Sequence, residues 1–320
     1  MRRRILVAVA LVLLAAPALA SAQAPLAATP IQHVVVNGAN LGYRTVGTGP
    51  PLVLIAGFGG TMAEWDPALV AGLATQHTVV VFDNRGIATS QPAPVRGLTI
   101  AKMADDTAGL IDALGLGKAD VLGWSMGGNI AEVLVQRHAD KVNRLILAAT
   151  DPGGPQAVQP TDPLAVKLLA DTNPPVSLLL KAIFPPTPAG RAASKAYVGR
   201  LGLWPDTGPD AFTTPSATVA AQVRAEGPLW FCKGCGAYPR LPRVRAPTLV
   251  TDGTLDILEP PENSRIIARR IPGAKLTLYR GGGHAHLFQF NGRYAGEVNG
   301  FLRLARRSRV PGRPAAAGPG

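Results

Sequence analysis

Short apolar segments that alternate with helical ones constrain the fold of this chain more than any other feature. Residues 52–56 and 78–82 contain no charged side chain, as expected for strands that a sheet buries on both faces. The predicted strands are 31–36, 41–46, 52–56, 78–82, 119–122, 142–148, 247–251 and 275–279, and the predicted helices include 100–114, 261–270 and 293–304. This alternation predicts an α/β fold with a mostly parallel central sheet covered by helices on both faces.

The stretch 151–245 interrupts the alternation. Prolines from Pro152 to Pro188 divide it into short helical runs. We interpret 151–245 as a helical cap inserted between two strands of the sheet, and 25–150 together with 246–305 as the core domain. Residues 306–320 are rich in arginine, proline and glycine, and are predicted to form a disordered basic tail.

The first residues have the pattern of a secretory signal peptide. Arg2, Arg3 and Arg4 precede an apolar run over 5–20, which contains Pro17 and is short for a membrane span. Small residues that fit a cleavage site follow, up to position 24. We therefore expect removal of 1–24 and a location outside the cytoplasm, either secreted or in the periplasm and cell envelope.

Composition and charge exclude several classes of function. With 47% hydrophobic and 16% charged residues, the chain is expected to be globular. The net charge is +12, or +9 without the three arginines of 1–24, and it permits loose association with anionic envelope polymers. No aromatic residues are interleaved with the basic cluster near the end of the chain, so we expect no nucleic-acid binding. The expected partner is a small molecule, and the protein is expected to be a monomer.

A candidate nucleophile lies between the predicted strand 119–122 and the helix that follows it. Residues 123–127 read Gly-Trp-Ser-Met-Gly and fit the pattern G-x-S-x-G. In a nucleophile elbow, this pattern places a serine on a sharp turn between a strand and a helix. Ser125 is therefore the predicted nucleophile, and it needs a base that accepts its proton.

The base and its supporting acid are sought at the same edge of the sheet. His284 follows three glycines just after the strand 275–279, and Asp256 follows the strand 247–251. The order Ser, Asp, His is the order of an elbow-type triad. His286 is an alternative base, and Asp252 and Asp151 are alternative acids.

Two backbone N–H groups are predicted to stabilise the oxyanion, those of Met126 and Phe58. Met126 begins the helix after the serine, and Phe58 lies in the glycine loop 57–60. That loop could instead bind phosphate, but Met62 occupies the place of the last glycine in G-x-G-x-x-G, and no Walker lysine follows. No cofactor and no metal are expected.

These motifs together resemble the α/β-hydrolase superfamily over about 31–305, in the branch of capped esterases, enol-lactonases and cofactor-free haloperoxidases. The family often has histidine where Ala56 precedes the glycine loop, which leaves open how this loop is supported. Ala88 occupies the place of a family glycine. Serine in the nucleophile position argues against similarity in mechanism to epoxide hydrolases and haloalkane dehalogenases, which attack with a carboxylate.

The only two cysteines, Cys232 and Cys235, lie near the end of the predicted cap. In an exported protein, a local disulfide is the favoured interpretation, although two free thiols or a redox pair stay possible.

The predicted function is that of an exported serine hydrolase that cleaves a carboxylic ester through an acyl-enzyme. A lactonase or a cofactor-free perhydrolase or haloperoxidase would use the same three residues. A peptidase that releases short N-terminal units, and a ligand-binding protein without turnover, are further alternatives.

Overall fold

The computed structural model describes residues 29–171, 174–205, 209–212 and 214–307. The predicted signal peptide, 1–24, and the tail from 308 onwards lie outside these ranges. The last helix extends to Arg307, so positions 306 and 307, which were predicted as tail, are helical. Within the described ranges, no helix is both long and apolar enough to span a bilayer.

Eight strands form one sheet, in the order β1-β2-β4-β3-β5-β6-β7-β8. The strands are β1 Gln32–Val36, β2 Ala39–Val46, β3 Pro51–Ile55, β4 Thr78–Phe82, β5 Ala119–Trp124, β6 Val142–Ala148, β7 Thr248–Gly253 and β8 Lys275–Tyr279. β1 and β2 form a hairpin, and β2 pairs with β4 in antiparallel orientation. The pairs from β4 through β8 are all parallel. The carboxyl ends of these parallel strands therefore meet at one edge.

Helices cover both faces of the sheet. They are α1 Pro67–Ala74, α2 Ile100–Ala113, α3 Met126–Arg137, α4 Pro163–Ala170, α5 Val176–Ile183, α6 Pro188–Leu201, α7 Ser216–Glu226, α8 Pro261–Arg270, α9 His286–Gln289 and α10 Asn291–Arg307. Alternate residues of β3 belong to two separate cores, with Leu52 and Leu54 in one and Val53 and Ile55 in the other. This period of two explains why the strand is wholly apolar. The prediction of a mostly parallel α/β fold is confirmed.

Helices α4 to α7 lie between β6 and β7. Near the two ends of this segment, the carbonyl oxygen of Pro152 accepts hydrogen bonds from the amides of Ala237 and Tyr238, at 2.9 and 2.8 Å. We refer to residues 151–245 as the cap segment. Cys232 and Cys235 form a disulfide in its last part, with their Cα atoms 5.1 Å apart.

Two side chains, one on α6 and one just after it, connect the cap segment to the core by hydrogen bonds. Arg200 donates two hydrogen bonds to the buried carboxylate of Asp66, at 2.6 and 2.8 Å. Farther along, the indole N–H of Trp204 donates to the carbonyl oxygen of Trp65 at 2.8 Å. The cap segment therefore rests on the loop that begins α1, beside the glycine loop.

A fully buried ion pair fixes the loop after β4. Arg85 donates to both carboxylate oxygens of Asp106 on α2, at 2.6 and 2.7 Å, and to the carbonyl oxygen of Asn37 at 3.0 Å. Both side chains are almost fully excluded from solvent. The pair therefore joins the β1–β2 turn, the loop after β4 and helix α2.

Replacement of Arg85 by methionine is expected to lower the free energy of unfolding by about 3–5 kcal/mol, because it leaves the carboxylate of Asp106 buried without its counter-ion. The exposed pair of Arg137 and Asp105 is the control. Arg137→Ala should change stability by less than about 1 kcal/mol. Urea denaturation of both variants measures the difference, and equal losses would contradict this account.

Candidate active site

The backbone at Ser125 has the strained conformation of a nucleophile elbow. Its φ and ψ are 57° and −130°, at the junction between β5 and α3. A Cβ atom at Gly127 would lie 2.1 Å from the carbonyl oxygen of Ile55, and one at Gly123 would lie 2.2 Å from the carbonyl oxygen of Gly127. Only glycine fits at either position, which is the physical reason for the G-x-S-x-G pattern here.

The glycine loop 57–60 lies directly beside the serine. A Cβ atom at Gly57 would be 3.0 Å from the Cβ of Ser125 and 3.4 Å from its Oγ. The amide of Gly60 donates to the carbonyl oxygen of Gly57 at 3.1 Å, which closes the loop into a turn. The loop therefore approaches Oγ of Ser125 with backbone atoms and no side chain between them.

His284 and Asp256 form a buried pair. Nδ1 of His284 lies 2.8 Å from Oδ2 of Asp256, and both residues are almost fully excluded from solvent. The other carboxylate oxygen of Asp256 accepts the amides of Leu258 and Glu259, at 2.8 and 2.9 Å. These bonds fix the carboxylate, and the carboxylate in turn orients the imidazole.

Trp124 connects this pair to the elbow. Its indole N–H donates to the carbonyl oxygen of His284 at 3.0 Å, and the centres of the two rings are 5.4 Å apart. No hydrogen bond between Ser125 and His284 occurs among the bonds of the described residues. In an unliganded site this contact is often long and shortens when substrate binds.

The alternative base and acids have other partners. His286 is fully buried, its Nε2 lies 3.1 Å from Oγ1 of Thr251, and burial lowers its pKa to about 3. Asp252 accepts hydrogen bonds from Ser264 and from the amide of Gly253, both at 2.7 Å. Burial and the nearby charge of Asp256 raise the pKa of Asp252.

Asp151, the other alternative acid, is held by hydrogen bonds at the beginning of the cap segment. One of its carboxylate oxygens accepts the amide of Gly153 at 2.6 Å and the indole N–H of Trp230 at 2.9 Å. Asn129 on α3 donates to the other oxygen at 3.3 Å and to the backbone carbonyl at 2.8 Å. Asp151 thus holds the beginning of the cap segment and makes no hydrogen bond with His284.

The two predicted oxyanion donors make no hydrogen bond to protein groups within the described residues. Neither the amide N–H of Phe58 nor that of Met126 donates to any acceptor in the part of the chain that the structure describes. The Met126 amide lies at the N-terminus of α3, where helical N–H groups have no partner within the helix. Both groups are therefore available for a developing negative charge.

Polar contacts from two sides hold the glycine loop, whose support the sequence left open at Ala56. From the core, Oδ1 of Asp83 accepts the amide of Met62 at 2.7 Å. From the cap segment, Oε1 of Gln222 accepts the amide of Gly59 at 2.8 Å, and Thr214 donates to the Gly59 carbonyl oxygen at 2.6 Å. Sequence reasoning missed Gln222 and Thr214, because more than 150 residues separate them from Gly59.

Two carboxyl groups lie near enough to Asp151 for its charge to affect them. Glu132 on α3 is fully buried, and neither of its side-chain oxygens has a hydrogen-bond partner. Burial first, and the charge of Asp151 second, raise the pKa of Glu132 well above its usual value. The same two causes raise the pKa of Glu226 on α7 to about 8. No group of three or more His, Cys, Asp or Glu residues in the described ranges is arranged to hold a metal ion.

The raised pKa of Glu132 makes a prediction about stability. The folded protein keeps this proton at pH values above 4.5 at which the unfolded chain releases it. The free energy of unfolding should therefore fall as the pH rises above 4.5. Glu132→Gln removes this pH dependence. The free energy of unfolding of the variant should therefore rise relative to that of the wild type as the pH is raised from 5 to 8.

Urea denaturation at pH 5, 6.5 and 8 measures this effect. Glu262→Gln on α8, at an exposed position, is the matched control and should follow the wild type at each pH. A Glu132→Gln variant that also followed the wild type would contradict a protonated Glu132.

The sequence is similar to a known family and to known bacterial proteins. Residues 50–174 match the model of the alpha/beta hydrolase fold family. The chain is 29% identical over 257 residues to a protein of Mycobacterium tuberculosis that carries the name non-heme bromoperoxidase BpoC, with coverage of 78% of this chain and 92% of that protein. It is also 29% identical over 247 residues to a Caulobacter protein with the name carbamate hydrolase RutD, covering 76% and 88%.

Solved structures show the same architecture. An alpha/beta hydrolase fold protein from Chitinophaga pinensis superimposes with a TM-score of 0.70 at 25% identity, covering 86% of this chain and 98% of that one. A thermophilic esterase from Thermogutta terrifontis superimposes with a TM-score of 0.66 at 24% identity, covering 86% and 99%. At this identity, the second likeness concerns the fold alone.

Proposed function

The chain belongs to the α/β-hydrolase superfamily and is related to non-heme haloperoxidases and carbamate hydrolases, and we propose that it is a serine hydrolase that cleaves carboxylic esters. The observation that carries this proposal is the buried pair of His284 and Asp256 next to the strained elbow at Ser125. A buried acid that orients a histidine beside a serine is the arrangement that activates a hydroxyl group as a nucleophile.

The proposed reaction begins with attack of Ser125 Oγ on the ester carbonyl carbon. Nε2 of His284 accepts the serine proton, while Asp256 holds the proton on Nδ1 and stabilises the imidazolium. The amides of Phe58 and Met126 donate to the oxyanion of the tetrahedral intermediate. The imidazolium then protonates the leaving alcohol, and an acyl-enzyme remains on Ser125.

The second half of the reaction repeats these steps with water. His284 accepts a proton from the water molecule as its oxygen attacks the acyl carbon. Collapse of the second tetrahedral intermediate releases the carboxylic acid and returns the proton to Ser125. Every step uses protein groups, substrate and water.

The relationship to proteins named haloperoxidases favours a second candidate reaction. If hydrogen peroxide replaces water in the second half, the acyl-enzyme yields a peracid, which then oxidises bromide. Peroxide-dependent bromination of a dye that requires an added carboxylic acid would support this activity. A lactonase would use the same groups on a cyclic ester, and release of a ring-opened hydroxy acid would identify it.

We also propose export of this hydrolase. The basic and apolar pattern of 1–24 supports a signal peptide that is removed on secretion. Removal of Arg2, Arg3 and Arg4 with 1–24 lowers the net charge from +12 to +9, and this positive charge supports loose association with anionic polymers of the envelope. N-terminal sequencing of protein recovered outside the cytoplasm tests the cleavage, and an intact Met1 there would contradict it.

Substitution of the proposed triad acid, Asp256, is expected to lower kcat far more than substitution of the nearby Asp252. Asp256→Asn should lower kcat for a short-chain p-nitrophenyl ester by about 10⁴-fold, because the amide favours the wrong histidine tautomer. Asp252→Asn should lower kcat far less, since its carboxyl group bonds Ser264 and the Gly253 amide instead of His284.

Steady-state kinetics of both variants, with circular dichroism to verify folding, measure this difference. Ser125→Ala gives the background rate that remains without the nucleophile. Equal kcat values for Asp256→Asn and the wild type would overturn the assignment of the acid.

A further inference from the structure

Both backbone polar groups of Gly59 are bound by the cap segment. The Gly59 amide donates to Oε1 of Gln222 at 2.8 Å, and its carbonyl oxygen accepts from Oγ1 of Thr214 at 2.6 Å. Gly59 has a φ of 62° and directly follows Phe58, whose amide is a proposed oxyanion donor. Since glycine has no Cβ, external bonds are needed to restrict its backbone.

These bonds act on the same turn that presents the oxyanion donor. The Phe58 N–H and the Gly57 carbonyl belong to one peptide plane, and that carbonyl accepts the amide of Gly60 at 3.1 Å. Gln222 therefore fixes the outer side of a turn whose inner side is closed by its own hydrogen bond. A rotation of the Gly59 backbone would move the Gly60 amide and break the hydrogen bond that holds the peptide plane of the Phe58 N–H.

One face of α7 lies on the loops at the carboxyl edge of the sheet. Thr218 is one helical turn before Gln222, and its Oγ1 donates to the carbonyl oxygen of Gly86 at 2.8 Å. Positions separated by four residues share a helix face. Thr218 and Gln222 therefore both lie against loops at the carboxyl edge of the sheet, and Gln222 contacts the residue that follows Phe58.

The amide nitrogen of Gln222 meets no acceptor. The residue is fully buried, its oxygen is used by Gly59, and Nε2 has no hydrogen-bond partner. Gln136 on α3, by contrast, donates through Nε2 to the carbonyl oxygen of Ala237 at 3.2 Å. A buried N–H donor without a partner is unfavourable, so an acceptor supplied by a bound molecule would satisfy it.

We propose that Gln222 positions the glycine loop 57–60 through Oε1 and binds an oxygen atom of the substrate's acyl group through Nε2. This inference rests on the proposed ester hydrolysis and adds a substrate class to it. The preferred acyl groups carry a hydrogen-bond acceptor near the carbonyl, as alkoxy- and oxo-acyl groups do. A donor in the site discriminates against the analogue that lacks the acceptor, because its N–H then stays unsatisfied.

Two substrates of equal length test the donor. p-Nitrophenyl methoxyacetate and p-nitrophenyl butyrate differ by one oxygen in place of one methylene group. After division by the rates of hydroxide-catalysed hydrolysis, the wild type should favour the methoxyacetate about 10-fold in kcat/KM. An unchanged ratio in Gln222→Leu would overturn the donor role.

Two variants separate the roles of the two side-chain atoms. Gln222→Glu keeps an oxygen for the Gly59 amide, and once its carboxyl group is ionised it has no donor for the substrate. Because burial favours the protonated carboxyl group, the ratio is measured from pH 6 to pH 9, and it should fall to about 1 as this group loses its proton. Any effect of the added charge on the oxyanion acts on both esters equally and cancels in this ratio. Gln222→Leu loses both functions, so the ratio should fall and kcat for the butyrate should also fall by about 10-fold or more.

Hydrogen exchange at the Gly59 amide tests the positioning role without any substrate. Protection should be retained in Gln222→Glu and should fall about 10-fold or more in Gln222→Leu. Gln136→Leu is the control and should change neither exchange nor the substrate ratio. Unchanged exchange and unchanged kcat in Gln222→Leu would overturn the positioning role.

The outcomes also separate this inference from the proposed function. A wild-type protein that hydrolyses neither ester refutes the proposed function, and the substrate-binding part of the inference with it. In that case the exchange of the Gly59 amide still decides whether Gln222 holds the loop.

Discussion

The close approach of three backbone segments around Ser125 is the constraint on which the rest of the site depends. The carbonyl oxygen of Ile55 lies where a side chain at Gly127 would begin, and a Cβ at Gly57 would be 3.0 Å from that of Ser125. β3, β5 and α3 can therefore meet only without side chains between them. This contact holds the serine in its strained conformation and places the glycine loop next to its hydroxyl group.

Around this rigid centre, each group of the proposed catalytic site is held by a different part of the chain. Asp256 follows β7 and orients His284, which follows β8. Asp83, after β4, accepts the amide of Met62, two residues beyond the glycine loop, and so supports this loop from the core. Gln222 supports the same loop from the cap segment. The cap segment is thus part of the proposed catalytic geometry as well as a cover, because it bonds the residue next to an oxyanion donor.

Features that depend on short sequence patterns could be predicted from the sequence. The elbow glycines, the polar residues at strand ends and the order Ser, Asp, His follow from short patterns, and parallel strands bring them to one edge. The α/β fold could be predicted for the same reason, since alternate residues of each buried strand enter two cores.

Long-range contacts could not be predicted in the same way. The bond from Gly59 to Gln222 joins residues 163 positions apart, and no motif marks the glutamine. The pairing of Arg85 with Asp106 and the unpartnered carboxyl group of Glu132 likewise depend on how helices pack on the sheet. Such contacts depend on tertiary packing, which the periodicity and spacing of residues in the sequence do not reveal.

The measurement that tests the central claim most directly is labelling of the purified protein with a fluorophosphonate, followed by intact mass and peptide mapping. An activated serine with a formed oxyanion site should give one adduct per molecule, on Ser125, and His284→Ala should lose it. A folded protein that gives no adduct, or an adduct on another residue, would contradict the proposed serine hydrolase.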